Sequence, residues 1–256
     1  MISALKDVFT WCRDNFLTIN SDKTCYTLFS GGKKTIHDQL NNIKVGNSII
    51  KRVKSATYLG VTLDENLSWS GHINKLCNSL TKIGNAFKVI KYRIPDKNKV
   101  QLYYAYVYSK IQYGIEVYGR CNMKTIKKVQ TKQNRALKIL YSKDHLTPTI
   151  TIHKELVLLK VTEIHKVAIL KFVFRQNKEL TPSIFKDTFK TNLEVHTYNT
   201  RQKNNLHIIQ PNNNFSKYTV RFQGPKPWNS IPTNIRSSKS IKSFARNVKQ
   251  HFINSY

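Results

Sequence analysis

Acidic residues are scarce in this sequence. Only 14 Asp and Glu stand against 43 Lys and Arg in 256 residues, which leaves a formal net charge of +29 at pH 7. Such an excess excludes an ordinary near-neutral protein of the cell interior. It makes a polyanionic partner the leading interpretation, with an anionic membrane surface as the weaker alternative. Because residues 65–256 carry 34 basic and 9 acidic groups, we expect the polyanion-binding surface there.

Long hydrophobic runs are also missing. The longest strictly aliphatic stretches, 156–159 and 167–170, are four residues long, whereas a membrane-spanning helix needs about 20 apolar residues. Charged residues precede any apolar stretch near the N-terminus, so we expect no secretory signal. With 40% hydrophobic residues the chain can still fill a core. These features predict a nuclear or cytoplasmic protein without a membrane partner.

Cysteine and glycine are too sparse to build a site. The cysteines are irregularly spaced at Cys12, Cys25, Cys77 and Cys121. This spacing does not resemble a zinc site, and a chain of this length does not need disulfides, so we expect reduced, buried thiols. The pair Gly31-Gly32 does not suffice for a phosphate-binding loop.

The sequence also shows no cluster of carboxylates. Two-metal phosphoryl chemistry needs such a cluster to hold its ions. The one adjacent acidic pair is Asp64-Glu65, and its place after a predicted strand indicates a turn. His153 and His165 have no carboxylate or cysteine at ligand spacing, so we interpret them as structural or surface residues. We therefore expect neither a metal site nor a cofactor in this chain.

Apolar periodicity predicts an α+β chain whose N-terminal part holds one helix and small antiparallel strands. One face of the helix is formed by residues at spacings of three and four: Leu5, Val8, Phe9, Cys12 and Phe16. Strands are predicted at about 24–29, on both sides of a Gly46-Asn47 turn, and at 56–63.

The rest of the chain is predicted to be mainly helical. A long amphipathic helix extends over 73–90 until Pro95 breaks the pattern, and Asp96 is predicted to cap the next helix, which includes the aromatic stretch 103–108. A third helix begins near Asn122, and its inward-facing residues are predicted to be Ile126, Val129, Ala136, Leu137 and Leu140. Two more helices are expected between 149 and 177, with a bend at 158–160.

The C-terminal part has a different composition. The asparagine-rich stretch 190–216 predicts loops, and alternating apolar residues at 218–222 predict a short strand. A proline-rich turn is expected at 225–227. Ser240 is predicted to cap a last helix with apolar residues on one face.

Cations form a stripe on the helix predicted from Asn122. Four basic residues share one continuous helical face and two flank it, with no acid between 122 and 142. The four are Lys124, Lys128, Lys132 and Arg135, and the flanking residues are Lys127 and Lys138. A merely solvated face normally carries mixed signs. The uniform sign therefore favours contact with nucleic-acid phosphates about 6 Å apart.

A second basic stretch, 82–99, includes Lys88, Lys91 and Arg93 and precedes tyrosines at 103, 104, 106 and 108. Aromatic rings beside cations can stack on unpaired bases. Four tyrosines within six residues cannot share one helical face, however, so we expect at least two of them in the core.

Six local motifs in a fixed order resemble the C-terminal part of reverse transcriptases from non-LTR (LINE-type, jockey-like) retrotransposons. They are VFTWCRDNFLTINSDKT, ATYLGVTLDENLSWSGHI, YSKIQYGIEVYG, QNRALKIL, HTYNTR and GPKPWNSIP. Each motif is short and partly generic, but their number, order and spacing are fairly specific. The resemblance implies the end of the palm (1–66), a helical thumb (67–145), a helical post-thumb segment (146–190) and a loop-rich C-terminal region (191–256).

The resemblance also implies functional residues and absences. The second motif resembles the primer-grip hairpin, with Tyr58, Leu59 and Gly60 at its turn, and Lys23 is a candidate for the lysine that assists pyrophosphate departure. The family's catalytic aspartates have no counterpart here, so this chain alone is expected to be inactive. Mg²⁺ is expected only for the full-length polymerase, whose upstream fingers and palm would be a partner of this fragment.

Two hypotheses from other classes remain open. The chain could be a sequence-tolerant nucleic-acid-binding protein retained without an enzymatic role. It could also be a basic interaction or membrane-surface protein. The first hypothesis, a polymerase fragment that binds an RNA–DNA hybrid or duplex by its backbone, accounts for both the stripe of cations and the ordered motifs.

Overall fold

The computed structural model describes residues 2–20, 22–29, 42–45, 48–196, 198–211 and 216–256. It has the α+β architecture that the sequence predicts, with one helix and small sheets followed by a helical region. The chain divides into two compact units, residues 1–72 and 73–256. Throughout the described part, every helix is too short or too polar to cross a lipid bilayer.

The N-terminal unit contains helix α1 (Ile2–Asp14) and two sheets. The strands are β1 (Cys25–Tyr26), β2 (Asn42–Val45), β3 (Ser48–Arg52), β4 (Ser55–Tyr58) and β5 (Val61–Asp64). β2 and β3 pair antiparallel, β1 joins β3 in parallel, and β4 and β5 form a separate hairpin. The predicted Gly46-Asn47 turn lies outside the described residues, although the strands that flank it pair as predicted.

The core of the first sheet is small. Ile43 and Ile50 are buried, and Leu5, Phe9 and Tyr26 pack against them. Among the described residues, this cluster buries two large side chains and partly covers three more.

Several predictions for the N-terminal unit are wrong in detail. Phe16 lies beyond the end of α1, with φ of 56° and 97% of its surface exposed. The strand expected at 24–29 is reduced to β1, and the single strand expected at 56–63 is a hairpin that turns at Leu59-Gly60. Cys25 is exposed and Cys12 is half-buried rather than buried, although all four cysteines are free thiols.

The second unit is a helical assembly. It comprises most of α2 (Ser70–Ile90), α3 (Asp96–Leu102), a π-helix (Tyr103–Tyr108), α4 (Ser109–Gln112), α5 (Ile115–Tyr118), α6 (Met123–Leu140), α7 (Thr149–Glu155), α8 (Val161–Asn177), a 3₁₀ turn (Ser183–Phe185), α9 (Asn192–Val195), a 3₁₀ turn (Ser216–Tyr218), α10 (Val220–Gln223), α11 (Pro225–Ser230), α12 (Thr233–Arg236) and α13 (Ile241–Ile253). The expected bend at 158–160 separates α7 from α8. Ser240 caps α13 by accepting a hydrogen bond from the Ser243 amide at 3.2 Å.

Helix α8 is the central element of this unit. Its buried residues lie on all sides, so it is packed around its whole circumference. It contacts α4, α5, α6, α11 and α13. The rings of Phe174 on α8 and Phe244 on α13 stack with centroids 4.4 Å apart, and Trp228 on α11 lies 5.8 Å from Phe244.

Three predictions for the second unit are corrected by packing. The alternating residues 218–222 form helical turns rather than a strand, because the amide of Gly224 bonds to the Val220 carbonyl at 2.9 Å. The prolines at 225–227 lie within α11, since proline in a first helical turn loses no hydrogen bond. Asp96 is not the cap of α3 but lies in its first turn, where its carboxylate bonds Lys99 at 2.7 Å.

A buried amide network fixes helix α6 against its neighbours. Gln133 is fully buried, and its amide nitrogen donates to the Tyr103 hydroxyl at 2.7 Å and to the Leu159 carbonyl at 2.8 Å. Gln130 donates to Gln133 at 2.7 Å and accepts from the Val161 amide at 2.8 Å. The network therefore joins α6 to the π-helix and to the start of α8.

His153 extends this network to α7. Its Nδ1 lies 3.1 Å from the Leu158 carbonyl and its Nε2 lies 3.1 Å from the Asn134 side-chain oxygen. Burial lowers the pKa of His153, although the bond to Leu158 opposes that shift. The prediction of a structural histidine is confirmed here.

We predict that replacing Gln133 destabilises the helical unit. Gln133→Ala leaves the Tyr103 hydroxyl and the Leu159 carbonyl without their partner in a buried place, which should lower the free energy of unfolding by about 2–3 kcal/mol. Urea titration followed by circular dichroism measures the change. The control is Gln250→Ala on the exposed side of α13, which should stay within about 0.5 kcal/mol of the parent. Equal losses in the two variants would contradict the role of the network.

His165 contributes to the stability of the helical unit in a way that depends on pH. Its ring packs so closely on Gly119 that an added Cβ would lie 2.3 Å from Cδ2. Among the described residues its Nε2 has no hydrogen-bond partner. Burial, together with the charges of Arg120 and Lys166, lowers the pKa of His165 to about 4.

We predict that acid destabilises the helical unit through His165. The unfolded chain takes up this proton near pH 6.5, but the folded protein takes it up only near pH 4. Stability is therefore greatest above pH 6.5 and falls as pH drops to 4, by up to about 3 kcal/mol from this group. In urea titrations across this pH range, His165→Gln should flatten the dependence, while His145→Gln, which alters a histidine whose side chain is 84% exposed, should not. An unchanged pH dependence in His165→Gln would refute the assignment.

Candidate nucleic-acid interface

Helix α6 carries the largest group of predicted phosphate contacts. It begins as predicted after Asn122, whose side-chain oxygen accepts from the Lys124 amide at 2.9 Å. The residues predicted to face inward are all buried: Ile126, Val129, Ala136, Leu137 and Leu140. Because this face is packed, the opposite face points away from the core.

The six cations of α6 differ in exposure. Four side chains are exposed and two are half-buried. The exposed ones are Lys124, Lys127, Lys128 and Arg135, and the half-buried ones are Lys132 and Lys138. The ammonium group of Lys138 donates to the carbonyl of His145, so it also ties the C-terminal turn of α6 to the loop that follows.

The second basic stretch lies at the end of α2 and in the turn after it. Lys88 and Arg93 are exposed, and Lys91 is half-buried with its ammonium 4.6 Å from the centre of the Tyr92 ring. Lys99, farther along, is only 8% exposed and bonds Asp96. Lys99 is therefore more buried than the residues predicted to contact phosphates.

The tyrosines that follow are mostly structural, as expected. Tyr103 is fully buried, and burial raises its pKa. Tyr104 and Tyr108 are half-buried with ring centres 5.1 Å apart, while Tyr106 is 53% exposed. Since only Tyr106 presents most of its ring to solvent, the stretch does not form a row of exposed rings for stacking.

The β4–β5 hairpin has an unusual turn. Leu59 and Gly60 both have positive φ, at 45° and 75°, between the paired residues Tyr58 and Val61. Tight two-residue hairpin turns of this kind prefer Asn-Gly or Asp-Gly, because a leucine in a left-handed conformation costs about 1–2 kcal/mol. Tyr58 and Leu59 are nevertheless 67% and 71% exposed, so the apolar side chains at the turn face outward.

The carboxylates of Asp64 and Glu65 are engaged in local structure. Asp64 accepts from the amides of Ser68 and Trp69, each at 3.0 Å, and thereby closes the turn into α2. Glu65 pairs with Arg52 at 2.9 Å. The prediction of a turn is confirmed. Among the described residues, no three His, Cys, Asp or Glu side chains come together in a way that could hold a metal ion.

Lys23 lies in the N-terminal unit, in an exposed turn closed by a bond from its own amide to the Asn20 side chain at 3.0 Å. The hairpin residues Tyr58, Leu59 and Gly60 belong to the same unit, whereas the basic residues of α2 and α6 belong to the second unit.

The sequence did not lead us to predict the network of buried amides on α6. Gln130, Gln133 and Asn134 interrupt the apolar face of the helix, and polar residues among inward-facing positions are the signal that could have found them. Two of them, Gln133 and Asn134, begin the motif QNRALKIL. Their role here is to hold the helix that carries the cations.

Comparison with known proteins identifies two relatives. No family model and no solved structure matches the chain. The probable RNA-directed DNA polymerase from transposon BS of Drosophila melanogaster is 25% identical over 168 residues, which cover 62% of this chain and 18% of that protein. The probable RNA-directed DNA polymerase from transposon X-element of the same organism is 25% identical over 160 residues, covering 61% and 17%.

The similarity therefore spans less than a fifth of the length of these curated relatives. Over about three fifths of its own length, this chain is similar to RNA-directed DNA polymerases of transposons, that is, to reverse transcriptases, which confirms the resemblance that its motifs carry.

Proposed function

We propose that this chain is the part of a retrotransposon RNA-directed DNA polymerase that holds the primer–template, an RNA–DNA hybrid or duplex, by its sugar–phosphate backbone. In this proposal the catalytic aspartates belong to upstream fingers and palm of the same polymerase. The observation that carries the proposal is the exposed cationic face of α6, which lies opposite a fully packed face.

The spacing of these cations suits a regular row of phosphates. Lys124, Lys128 and Lys132 follow one another at four-residue intervals, about 6 Å along the helix axis. The chain from 122 to 142 contains no acid, so neighbours on the helix do not neutralise the row. A helix fixed by its buried face offers these charges at little cost in backbone entropy, because its conformation is already set before binding.

Lys88, Lys91 and Arg93 would extend the contact along the backbone. Phosphate contacts hold a duplex without reading its sequence. This property suits a polymerase, which must accept every template. The same contacts would be expected of a sequence-tolerant binding protein, but the similarity to RNA-directed DNA polymerases favours the polymerase.

We assign the β4–β5 hairpin to the primer grip. Its exposed apolar turn costs conformational energy, and strained residues concentrate at functional sites. A contact between Tyr58, Leu59 and Gly60 and the primer backbone would account for that cost. Lys23, exposed in the preceding turn, remains a candidate for a role that requires the upstream part of the polymerase.

The N-terminal unit also supports the proposal of an upstream partner. Large apolar side chains are exposed on it, including Trp11 at 60%, Leu17 at 54% and Phe29 at 51%. Exposed apolar surface of this kind is expected where another part of a protein packs. In the proposed division, residues 1–66 complete a palm, 67–145 form the thumb, and 146–190 and 191–256 follow it.

The magnesium ions of such a polymerase find no matching donors in the described part of this chain. Asp64 caps a turn and Glu65 pairs with Arg52. We therefore assign no catalytic step to these residues.

We predict that the cations of α6 set the salt dependence of hybrid binding. Changing Lys124, Lys128, Lys132 and Arg135 together to Gln should lower the slope of log K against log salt by about three to four, at roughly 0.9 per phosphate contact. Fluorescence anisotropy with a labelled RNA–DNA hybrid over a range of salt concentrations measures the slope.

The control removes the same charge elsewhere. It replaces by Gln four exposed lysines of the same unit, Lys178, Lys226, Lys239 and Lys242. We expect its slope to stay closer to that of the parent. If both variants lose the same slope, the effect is one of net charge, and the assignment to α6 fails.

We predict that Leu59→Asn separates stability from binding. The Asn-Gly pair fits a turn with two positive φ values, so the variant should be as stable as the parent or about 0.5–1 kcal/mol more stable. Hybrid affinity should nevertheless fall, because the apolar contact is lost. Thermal unfolding and anisotropy on the same preparations test both parts. Unchanged affinity in a stabilised variant would rule out a grip through Leu59.

A further inference from the structure

A cleft in the C-terminal region is the strongest site that the proposed function leaves unused. It has a volume of about 610 Å³ and is lined by Asn192 of α9, by the loop after α9 and by one residue of α11. This volume falls within the range of about 300–1,000 Å³ that small ligands occupy in proteins. Its walls include Tyr198 and Arg201 of the motif HTYNTR, together with His196, His207, Asn192 and Asn229.

Hydrogen bonds hold the cleft in shape. The side chain of Asn229 accepts from the Leu206 amide at 2.9 Å and donates to the Leu206 carbonyl at 2.8 Å. Asn192 donates to the Gln202 carbonyl at 2.9 Å. The loop is therefore tied to α9 through Gln202 and to α11 through Leu206.

The same bonds fix the chemistry of one histidine. Because the amide nitrogen of Asn192 is committed to Gln202, its oxygen is the atom 3.2 Å from His207 Nδ1. An oxygen can only accept, so Nδ1 carries the proton, and Nε2 of the neutral ring is an acceptor. The ring of His196 lies 5.2 Å from that of His207 in an edge-to-face arrangement.

The remaining walls supply stacking and charge. Tyr198 is 78% exposed, so its ring is accessible at the cleft. Arg201 is also exposed, and no lining residue of the cleft is acidic. An aromatic face, a guanidinium group and amide or imidazole acceptors are together the groups that recognise a base and its phosphate in single strands.

We propose that this cleft binds an unpaired nucleotide of a nucleic-acid strand, with the base on Tyr198, the phosphate on Arg201 and a base N–H donated to His207 Nε2. This inference rests on the proposed function, because it gives the nucleic acid held by α6 a second contact where a strand is single. The bases of a duplex cannot make these contacts, since they are already stacked and paired.

The test compares an RNA–DNA hybrid with blunt ends and the same hybrid carrying single-stranded RNA or DNA extensions of increasing length, by fluorescence anisotropy. Some extension should raise the affinity of the parent protein. Tyr198→Ala should remove that increment, a loss of about five- to a hundredfold. Tyr198→Phe should retain it, and Arg201→Gln should lower the salt slope for a single strand by about 0.7.

Matched controls keep the result specific. Tyr106→Ala removes another exposed tyrosine and Lys178→Gln another exposed cation, and both should keep the increment. Thermal unfolding checks that each variant is folded. A normal increment in Tyr198→Ala, or no increment with any extension in the parent, would overturn the proposal.

The two proposals fail differently. If blunt hybrid binds without salt dependence but a single strand binds through Tyr198, the function assigned to α6 fails and the cleft stands. If blunt hybrid binds through α6 and no extension adds affinity, the cleft fails and the function stands. A gain from an RNA extension but not from DNA would assign the site to strands that carry the 2′-hydroxyl.

Discussion

Burial of the Gln133 amide is the constraint on which the cationic face of α6 depends. A buried amide must have partners, because each unsatisfied polar group costs about 1–3 kcal/mol. Gln133 finds them in Tyr103 and Leu159, on two other segments. Apolar packing alone would tolerate a small rotation of α6, but directional hydrogen bonds do not. Hydrogen bonds on the buried face of the helix therefore set its orientation and the direction in which its cations point.

Four of the 14 acids of this chain serve local structure. Asp64 closes a turn, Glu65 neutralises Arg52, and Glu194 accepts from Thr191 in a capping box. Glu163 caps α8 by accepting from the Lys160 amide at 3.0 Å, and burial raises its pKa. Because acids number only 14 against 43 Lys and Arg, the excess of cations remains uncompensated.

Periodicity predicted the elements whose structure depends on a single repeating pattern. α2, α6 and α13 were predicted close to their observed bounds, because each has a sustained apolar face. The start of α8, which is buried on all sides, was predicted from the expected bend at 158–160. The stretch 218–222 was predicted wrongly because five alternating residues fit a strand and a short helical turn equally. Its outcome is decided by packing, since Gly224 lies so close to Phe189 that an added Cβ would come within 2.7 Å of the ring.

The candidate site was predicted in part for the same reason. Charge periodicity identifies the exposed face of α6, but it cannot reveal that Lys99 is buried or that Gln133 joins three segments. Those facts depend on contacts between residues distant in sequence. The cleft at Tyr198 depends on such contacts too, because Asn192 and Asn229 are brought to one loop only by the folded chain.

In the proposed function, charge links the stability of the protein to its binding of nucleic acid. Residues 65–256 hold 34 basic and 9 acidic groups, and folding brings these like charges closer together than they are in an unfolded chain. This repulsion lowers the stability of the free protein. A polyanion that binds only the folded state relieves the repulsion and adds its own binding free energy to stability. If the proposed function holds, the same surface charge that destabilises the free chain therefore favours the bound, folded state.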